Sequence, residues 1–228
     1  RFVWNLRYER PTTLETGKPP DPDAEEQLSG TAPWALPGTY QVRLTVGDTA
    51  HTESFAILKD PRRPATDQDL AAQFALKLAI RDRLSAVHEA LNRIRSIRKQ
   101  LEAWEQRAGS DKADKADKAD KAGSAGTARV AEAAAALSKR LQALEGELTN
   151  LDADTPRLGS AKLREKLMSL SGMIDESDDA PTHGATAVFA QLDEQVTAAT
   201  VKLRRLLADD VAAFNELVRV AELPAIGV

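Results

Sequence analysis

The sequence predicts an α+β chain that is mostly α, with part of a β-sandwich followed by an antiparallel four-helix coiled-coil bundle. Between residues 130 and 151, apolar side chains recur at alternating spacings of 4 and 3, which is the heptad seam of a coiled-coil helix. Short segments before residue 60 alternate apolar and polar side chains with the period of 2 that is typical of strands. Composition changes as well, because residues 65–228 are rich in helix-forming Ala, Leu, Glu, Lys and Arg.

These patterns predict three parts of the chain. Residues 1–60 are interpreted as the C-terminal strands of a β-sandwich, residues 61–66 as a linker, and residues 67–228 as the helical bundle. The linker contains Pro61 and Pro64, and a proline disfavours helix in the residue before it.

The β part begins with a predicted strand over residues 1–10, in which Phe2, Trp4, Leu6 and Tyr8 share one face. Residues 11–38 are dense in Pro, Gly, Thr and Asp and predict a long irregular connection. Trp34 lies inside this connection. We expect Trp34 to pack over the edge of the sheet, and the alternative is an exposed anchor for a ligand or another domain.

A hairpin follows the connection. Apolar residues alternate from Tyr40 to Val46, Gly47-Asp48 is a two-residue turn, and the return strand runs from about Ala50 to Leu58. This pattern is typical of the end of an immunoglobulin- or fibronectin-type sandwich, which needs about seven strands. Because only three or four strands are predicted, we expect the earlier ones to lie upstream of Arg1.

The predicted strands would present one apolar sheet face that no second sheet of this chain can cover. A face of that size on a soluble monomer is rare and marks an interface. We therefore expect the upstream part of a parent protein, or another copy of the chain, to cover it, with Trp4 and Trp34 as candidate interaction anchors. The face consists of Phe2, Trp4, Leu6, Tyr8, Tyr40, Val42, Leu44, Val46, Phe55 and Ile57.

The first long helix is predicted from Asp67 to Ala108, behind a capping box formed by Thr66 and Asp69. Four copies of Asp-Lys-Ala at residues 111–122 then form a low-complexity tip, which fits either a solvated helix or a disordered loop. The apolar seam of the helix consists of Leu76, Ile80, Leu84, Val87, Leu91, Ile94, Ile97, Leu101 and Trp104.

Three more helices complete the predicted bundle. The heptad helix covers residues 127–151, and Ser160 is the predicted cap of a shorter helix with Leu163, Leu167, Leu170 and Ile174 on one side. Pro181 opens the last helix, because proline suits a first helical turn. The seam of that helix runs from Phe189 to Leu206 and continues, after a shift of one residue, through Val211, Phe214 and Val218.

No chemistry-bearing motif stands out. The sequence contains no cysteine, and His51, His88 and His183 are too scattered to indicate a zinc site. The acidic stretch of Asp175, Glu176, Asp178 and Asp179 lacks the pattern of a calcium loop, and we interpret it as charge that offsets the dipole of the following helix. We therefore predict no catalytic residue, no cofactor and no metal.

Partner classes are limited by charge and hydropathy. The net charge is -4 and no basic block is present, so nucleic acid is not an expected partner. The sequence has no run of about 18 apolar residues, so we expect no membrane span.

Six segments of the chain form a combination that resembles one protein family: FVWNLRY, PGTYQVRLTVGD, AILKDPR, the helix from DQDLAAQ to EAW, APTHGATAVFAQL and DVAAFNEL. Together they resemble the C-terminal region of bacterial exported proteins that carry a sortilin-like, BNR-repeat β-propeller and are often labelled glycosyl hydrolase or sialidase-like. The resemblance covers nearly the whole chain apart from the Asp-Lys-Ala insert. It implies a periplasmic or secreted location and a parent whose ligand site lies upstream of residue 1, and it carries over no catalytic residue.

Two functions follow from this resemblance. The first is a non-catalytic accessory and interaction region that supports or oligomerises the propeller, which makes this chain itself no enzyme. The alternative is the tail of a secreted glycoside-hydrolase-like enzyme, whose active site lies upstream. Whether the parent is a glycosyl hydrolase stays open.

Overall fold

The computed structural model describes residues 3–15, 30–114, 121–150 and 160–221. In these residues the chain is mostly helical, with one two-stranded antiparallel sheet. The strands are β1 (Gly38–Val46) and β2 (Thr49–Ile57). The helices are α1 (Asp67–Asp114), α2 (Lys121–Leu148), α3 (Leu163–Asp175) and α4 (His183–Arg205), which continues through a π-helical turn (Leu206–Val211) into α5 (Ala212–Val220).

The chain forms two compact units, each assembled from separate stretches of sequence. Among the described residues, the first unit takes residues 3–13, 30–85 and 167–191. The second unit takes residues 14–15, 86–114, 121–150, 160–166 and 192–221. The sequence predicted a different division, based on composition, into residues 1–60, 61–66 and 67–228. That division into domains stays a prediction.

The predicted hairpin is present in the first unit. β1 and β2 pair in one continuous register from Gly38 opposite Ile57 to Val46 opposite Thr49. Gly47 opens the turn with a φ of 59°, a left-handed conformation that glycine adopts without steric cost. Three or four strands were predicted, whereas the described residues contain two.

Residues 3–10 do not form the strand that their alternation predicts. They make only an isolated bridge between Arg7 and Trp34, and Leu6 has a left-handed φ of 60°. The Asn5 side chain accepts a hydrogen bond from the Arg7 backbone N–H at 3.1 Å, and such local side-chain bonds compete with strand pairing. Alternation over a few residues is therefore not sufficient to form a strand here. Phe2, the first residue of the predicted face, lies outside the described residues.

Helix α1 begins with the predicted capping box. Thr66 donates its backbone N–H to the Asp69 carboxylate at 2.8 Å, and Asp69 returns its N–H to the Thr66 hydroxyl at 3.1 Å. Seven of the nine predicted seam residues of α1 are buried, whereas Leu76 and Ile97 are half-buried. Helix α1 continues into the Asp-Lys-Ala repeat as far as Asp114, and α2 begins at Lys121. The repeat between these helices lies outside the described residues.

The heptad seam of α2 is buried in the second unit, as predicted. Leu141 is 0% exposed and Leu144 is 3% exposed, while Gln142 is exposed. Val130, Ala134, Leu137 and Leu148 are also buried, and Leu151 lies outside the described residues. A buried charge cluster lies beside this seam, where Glu145 accepts hydrogen bonds from Arg95 at 2.8 Å and Arg98 at 2.6 Å.

Helix α3 starts later than the Ser160 cap predicts. Its first residue is Leu163, and the Glu165 carboxylate reaches back to the Lys162 N–H at 3.3 Å, which is half of a capping box. Ser160 instead accepts a hydrogen bond from the Asn150 side-chain amide at 3.1 Å. The four predicted seam residues of α3 are buried.

Helix α4 is capped by Thr182, whose hydroxyl accepts the Ala185 N–H at 3.1 Å. In α4, Leu192, Val196, Ala199 and Leu203 are buried, whereas Phe189 is half-buried. The predicted one-residue shift of the seam coincides with the π-helical turn at Leu206–Val211. A π-turn inserts one residue into a helix, so Phe214 and Val218 of α5 are buried beyond it.

Candidate interaction site

The hairpin of the first unit has one apolar face and one polar face. Directly opposed residues of an antiparallel pair share a face, so the register assigns each side chain to one of them. The face that we call the apolar face carries Tyr40, Val42, Leu44, Val46, Phe55 and Ile57, together with the polar residues Thr49, His51 and Glu53. The polar face carries Thr39, Gln41, Arg43, Thr45, Ala50, Thr52, Ser54 and Ala56.

The apolar face is open to solvent over most of its length. Val42 is 49% exposed, Leu44 is 62% exposed and Val46 is 66% exposed. These three residues lie at alternate positions of one strand, so their side chains form a continuous patch. Single exposed apolar residues are ordinary, but a contiguous patch on a sheet face is typical of an interaction surface.

Aromatic side chains cover only the base of the apolar face. The Trp4 ring lies 5.5 Å from the Tyr40 ring and 6.3 Å from the Phe55 ring, and Tyr40 and Phe55 stack at 6.0 Å. The Trp4 indole N–H donates to the Arg7 carbonyl at 2.8 Å, which holds the ring against the hairpin. Trp4 is therefore half-buried within its own chain, and the uncovered patch is the part toward the turn.

Trp34, the second candidate anchor, is exposed over 53% of its surface. The Arg7 guanidinium lies 3.8 Å above the Trp34 ring, within the range of a cation–π interaction. Arg7 also donates a hydrogen bond to the Ala32 carbonyl, which fixes the guanidinium in place. The expected packing of Trp34 over the sheet edge is thus replaced by a stack on Arg7, which leaves much of the indole accessible.

An open cleft of about 600 Å³ lies next to Trp34 in the first unit. Its apolar lining includes Trp34, Leu36, Leu58 and Phe74. Four of its charged groups form two ion pairs, because Arg63 lies 3.0 Å from Asp178 and Lys77 pairs with Asp175. The cleft can therefore contact an apolar group beside Trp34.

Lys77 is the most deeply placed of these charges, at 3% exposure. Besides the ion pair with Asp175, its ammonium group donates to the Ser171 hydroxyl at 2.9 Å and to the Ser171 carbonyl at 3.2 Å. Burial lowers the pKa of Lys77, and the hydrogen bond and charge of Asp175 oppose that shift. These contacts connect α1 to the end of α3 inside the first unit.

The histidines that were considered for metal binding lie on three different elements. His51 lies on the hairpin, His88 is buried in α1 and His183 is the first residue of α4. Asp175, the last residue of α3, pairs with Lys77, and Asp178 pairs with Arg63, while the expected offset of the dipole of the following helix stays a prediction. Within the described residues, no group of three or more metal-binding side chains comes together.

Lys77 and Arg7 were not predicted from the sequence as residues of this site. Lys77 occupies a seam position of α1, three residues before Ile80 and seven before Leu84, and a charged residue in an apolar seam is a signal of a buried ion pair. Arg7 carried no such signal, because its contact with Trp34 depends on a bridge between distant residues.

Comparisons with known proteins find no match, whether with family models, with curated proteins or with solved structures. The resemblance to sortilin-like, BNR-repeat proteins therefore stays a prediction. Among the helices that the structure describes, none has both the length and the apolar character that crossing a bilayer requires.

Proposed function

We propose that this chain is a non-catalytic accessory and interaction region of a larger exported β-propeller protein, which supports or oligomerises the propeller. The observation that carries this proposal is the exposed apolar face of the hairpin around Val42, Leu44 and Val46. The resemblance of the strings quoted above supports the identity of the parent and its periplasmic or secreted location.

The occupant that we propose for the apolar face is the upstream part of the same parent protein. An isolated two-stranded hairpin is at best marginally stable in water, and three or more strands with a buried face are needed for independent stability. In this proposal β1 and β2 are the last strands of an immunoglobulin- or fibronectin-type sandwich, and the parent supplies the strands of the facing sheet, which cover the apolar face. The alternation of one apolar and one polar face supports this assignment.

Covering the exposed part of the apolar face would contribute a favourable free energy of modest size. Full burial of a valine or leucine side chain contributes about 1.5–3 kcal/mol, and these three residues are about half to two-thirds exposed, so each would contribute about 1–2 kcal/mol on being covered. The sum of about 3–6 kcal/mol is a substantial fraction of the about 5–15 kcal/mol by which a typical domain is stable.

The helical part would act as the support. We propose that α1 to α4 form an antiparallel four-helix coiled-coil bundle, as expected from the sequence. The burial of an apolar seam in each of these helices supports this proposal. Since the seams are internal, the helices would present mostly polar faces to solvent and serve as a spacer.

Binding between this chain and the separately produced upstream part of the parent, measured by isothermal titration calorimetry, tests the proposal. Leu44→Glu should weaken binding at least tenfold, because it introduces a charge into the apolar face. The matched control is Thr45→Glu, the same change at the neighbouring exposed position on the polar face, which should leave binding nearly unchanged. Equal effects from the two variants would contradict the proposal.

The alternative, a tail of a glycoside-hydrolase-like enzyme that shapes substrate access, makes a different prediction. Hydrolysis of fluorogenic sialosides and other glycosides by the parent should be compared with and without residues 1–228. An accessory region leaves kcat/KM on soluble substrates unchanged. A loss of turnover when the folded parent lacks this chain would favour the alternative.

A further inference from the structure

We propose that the free edge of β1 pairs with β1 of a second copy of this chain, forming a four-stranded sheet across a two-fold axis. This inference rests on the proposed interaction role of the hairpin, and it adds a second surface, because a strand edge differs from the apolar face. In the part of the chain that the structure describes, the sheet contains only β1 and β2, so each strand has an outer edge without a paired strand.

Four residues of β1 present their backbone N–H and C=O groups at its free edge. A two-residue turn closes on a hydrogen-bonded pair, here Val46 and Thr49, so the residues of the apolar face direct their backbone groups toward β2. The alternate residues Thr39, Gln41, Arg43 and Thr45 therefore direct their N–H and C=O groups outward. All four are exposed, so an incoming strand can reach them.

β1 is complementary to itself in an antiparallel register centred on Val42. In that register Val42 meets Val42 of the second copy, Tyr40 meets Leu44, and Gln41 meets Arg43. The apolar residues of both copies share one face, and no two like charges are directly opposed, which is a condition for stable cross-strand pairing. All nine residues of the strand, Gly38–Val46, have a partner in this register.

The outer edge of β2 does not have this property. The equivalent register, centred on Glu53, places two glutamates directly opposite each other, and opposed like charges destabilise a strand pair. Glu53 and His51 also put polar groups on the apolar face of β2, and a charge on the inward side of an edge strand is a common guard against further pairing. Pairing should therefore stop at two copies and give a closed dimer.

The dimer should be weak in isolation. A single strand pairing buries far less than the about 1,200 Å² that marks the lower end of stable protein interfaces. We expect reversible, concentration-dependent association that becomes significant when two copies are held near each other, as in an oligomeric parent.

Single-cysteine crosslinking tests the register directly, because the native chain has no cysteine and any disulfide must join two copies. In the proposed register, residue 42 is a non-hydrogen-bonded pair with a Cα separation of about 4.5 Å, a distance that a disulfide spans. Residue 44 of one copy lies about 13 Å from residue 44 of the other, because four residues separate them along the strand. Val42→Cys should therefore crosslink rapidly under mild oxidation, and Leu44→Cys at least tenfold more slowly.

Glu53→Cys is the control for the β2 edge and should also crosslink slowly. Gln41→Pro removes an outward N–H without removing a β1–β2 hydrogen bond, so it should abolish the concentration-dependent dimer of the native chain in sedimentation velocity. Circular dichroism of each variant verifies that its helical content is native.

Fast crosslinking of Leu44→Cys would indicate that the apolar faces of two copies stack, and fast crosslinking of Glu53→Cys would indicate pairing through β2. Either result overturns the proposed register, and so does a native chain that stays monomeric while Val42→Cys crosslinks no faster than Leu44→Cys. If both the sedimentation and the crosslinking results are negative but the chain still binds the upstream part of the parent, the dimer is refuted and the proposed function is left intact. A chain that dimerises but does not bind the upstream part of the parent supports the dimer and refutes the proposed function.

Discussion

Replacing Leu141 by alanine perturbs the centre of the heptad seam of α2. Leu141 is 0% exposed, so the change removes three buried carbon atoms, which corresponds to a transfer free energy of about 2.4 kcal/mol at about 0.8 kcal/mol per methylene. The cavity that remains adds to this loss, and measured leucine-to-alanine changes in protein cores span about 2–5 kcal/mol. We expect a loss of about 3–4 kcal/mol in the unfolding free energy of the second unit.

Urea unfolding followed by circular dichroism at 222 nm measures this loss, since the helices dominate the signal. Gln142→Ala is the matched control one residue away, and because Gln142 is exposed it should change the unfolding free energy by less than about 0.5 kcal/mol. Near-equal effects from the two variants would mean that the seam of α2 is not a core. A change in the slope of the transition would instead indicate that the two compact units unfold separately.

Two further predictions concern charge and the low-complexity tip. Because burial lowers the pKa of Lys77 in the folded chain, the unfolded chain binds more protons between that lowered pKa and the ordinary value of about 10.4. The unfolding free energy of the native chain relative to Lys77→Met should therefore rise with pH across this window, and a difference that is flat or falls with pH would contradict the assignment. Deleting residues 111–122 should change the unfolding free energy by no more than about 0.6 kcal/mol, since the repeat carries no large apolar side chain and closure entropy depends weakly on loop length. A much larger loss in thermal or urea unfolding would show that the repeat packs against another part of the chain.

Local patterns were enough to predict most elements of this chain. The reciprocal capping box of Thr66 and Asp69, the turn at Gly47 and the buried seam of α2 all depend on residues that are near each other in sequence. The π-helical turn at Leu206–Val211 is also visible in the sequence, because the apolar spacing of the last helix slips there by one residue.

The short segments were less predictable than the long ones. Residues 3–10 have the alternation of a strand, yet the Asn5 side chain and the left-handed Leu6 turn the backbone away from one. Ser160 is a favourable cap by residue type, but its hydroxyl bonds to Asn150 and the helix starts at Leu163. In both cases one side-chain hydrogen bond outweighs a weak local preference.

The sequence by itself determined that this protein is mostly helical and that it has a hairpin with one apolar face, while a partner for that face stays a prediction. Only the tertiary structure decided that Arg7 stacks on Trp34, that Lys77 pairs with Asp175, and that Trp4 covers the base of the hairpin while Val42, Leu44 and Val46 stay open. The physical reason is distance along the chain. Periodicity and caps depend on neighbours within about one or two helical turns, whereas these contacts join residues that are tens of positions apart and form only when the chain has folded.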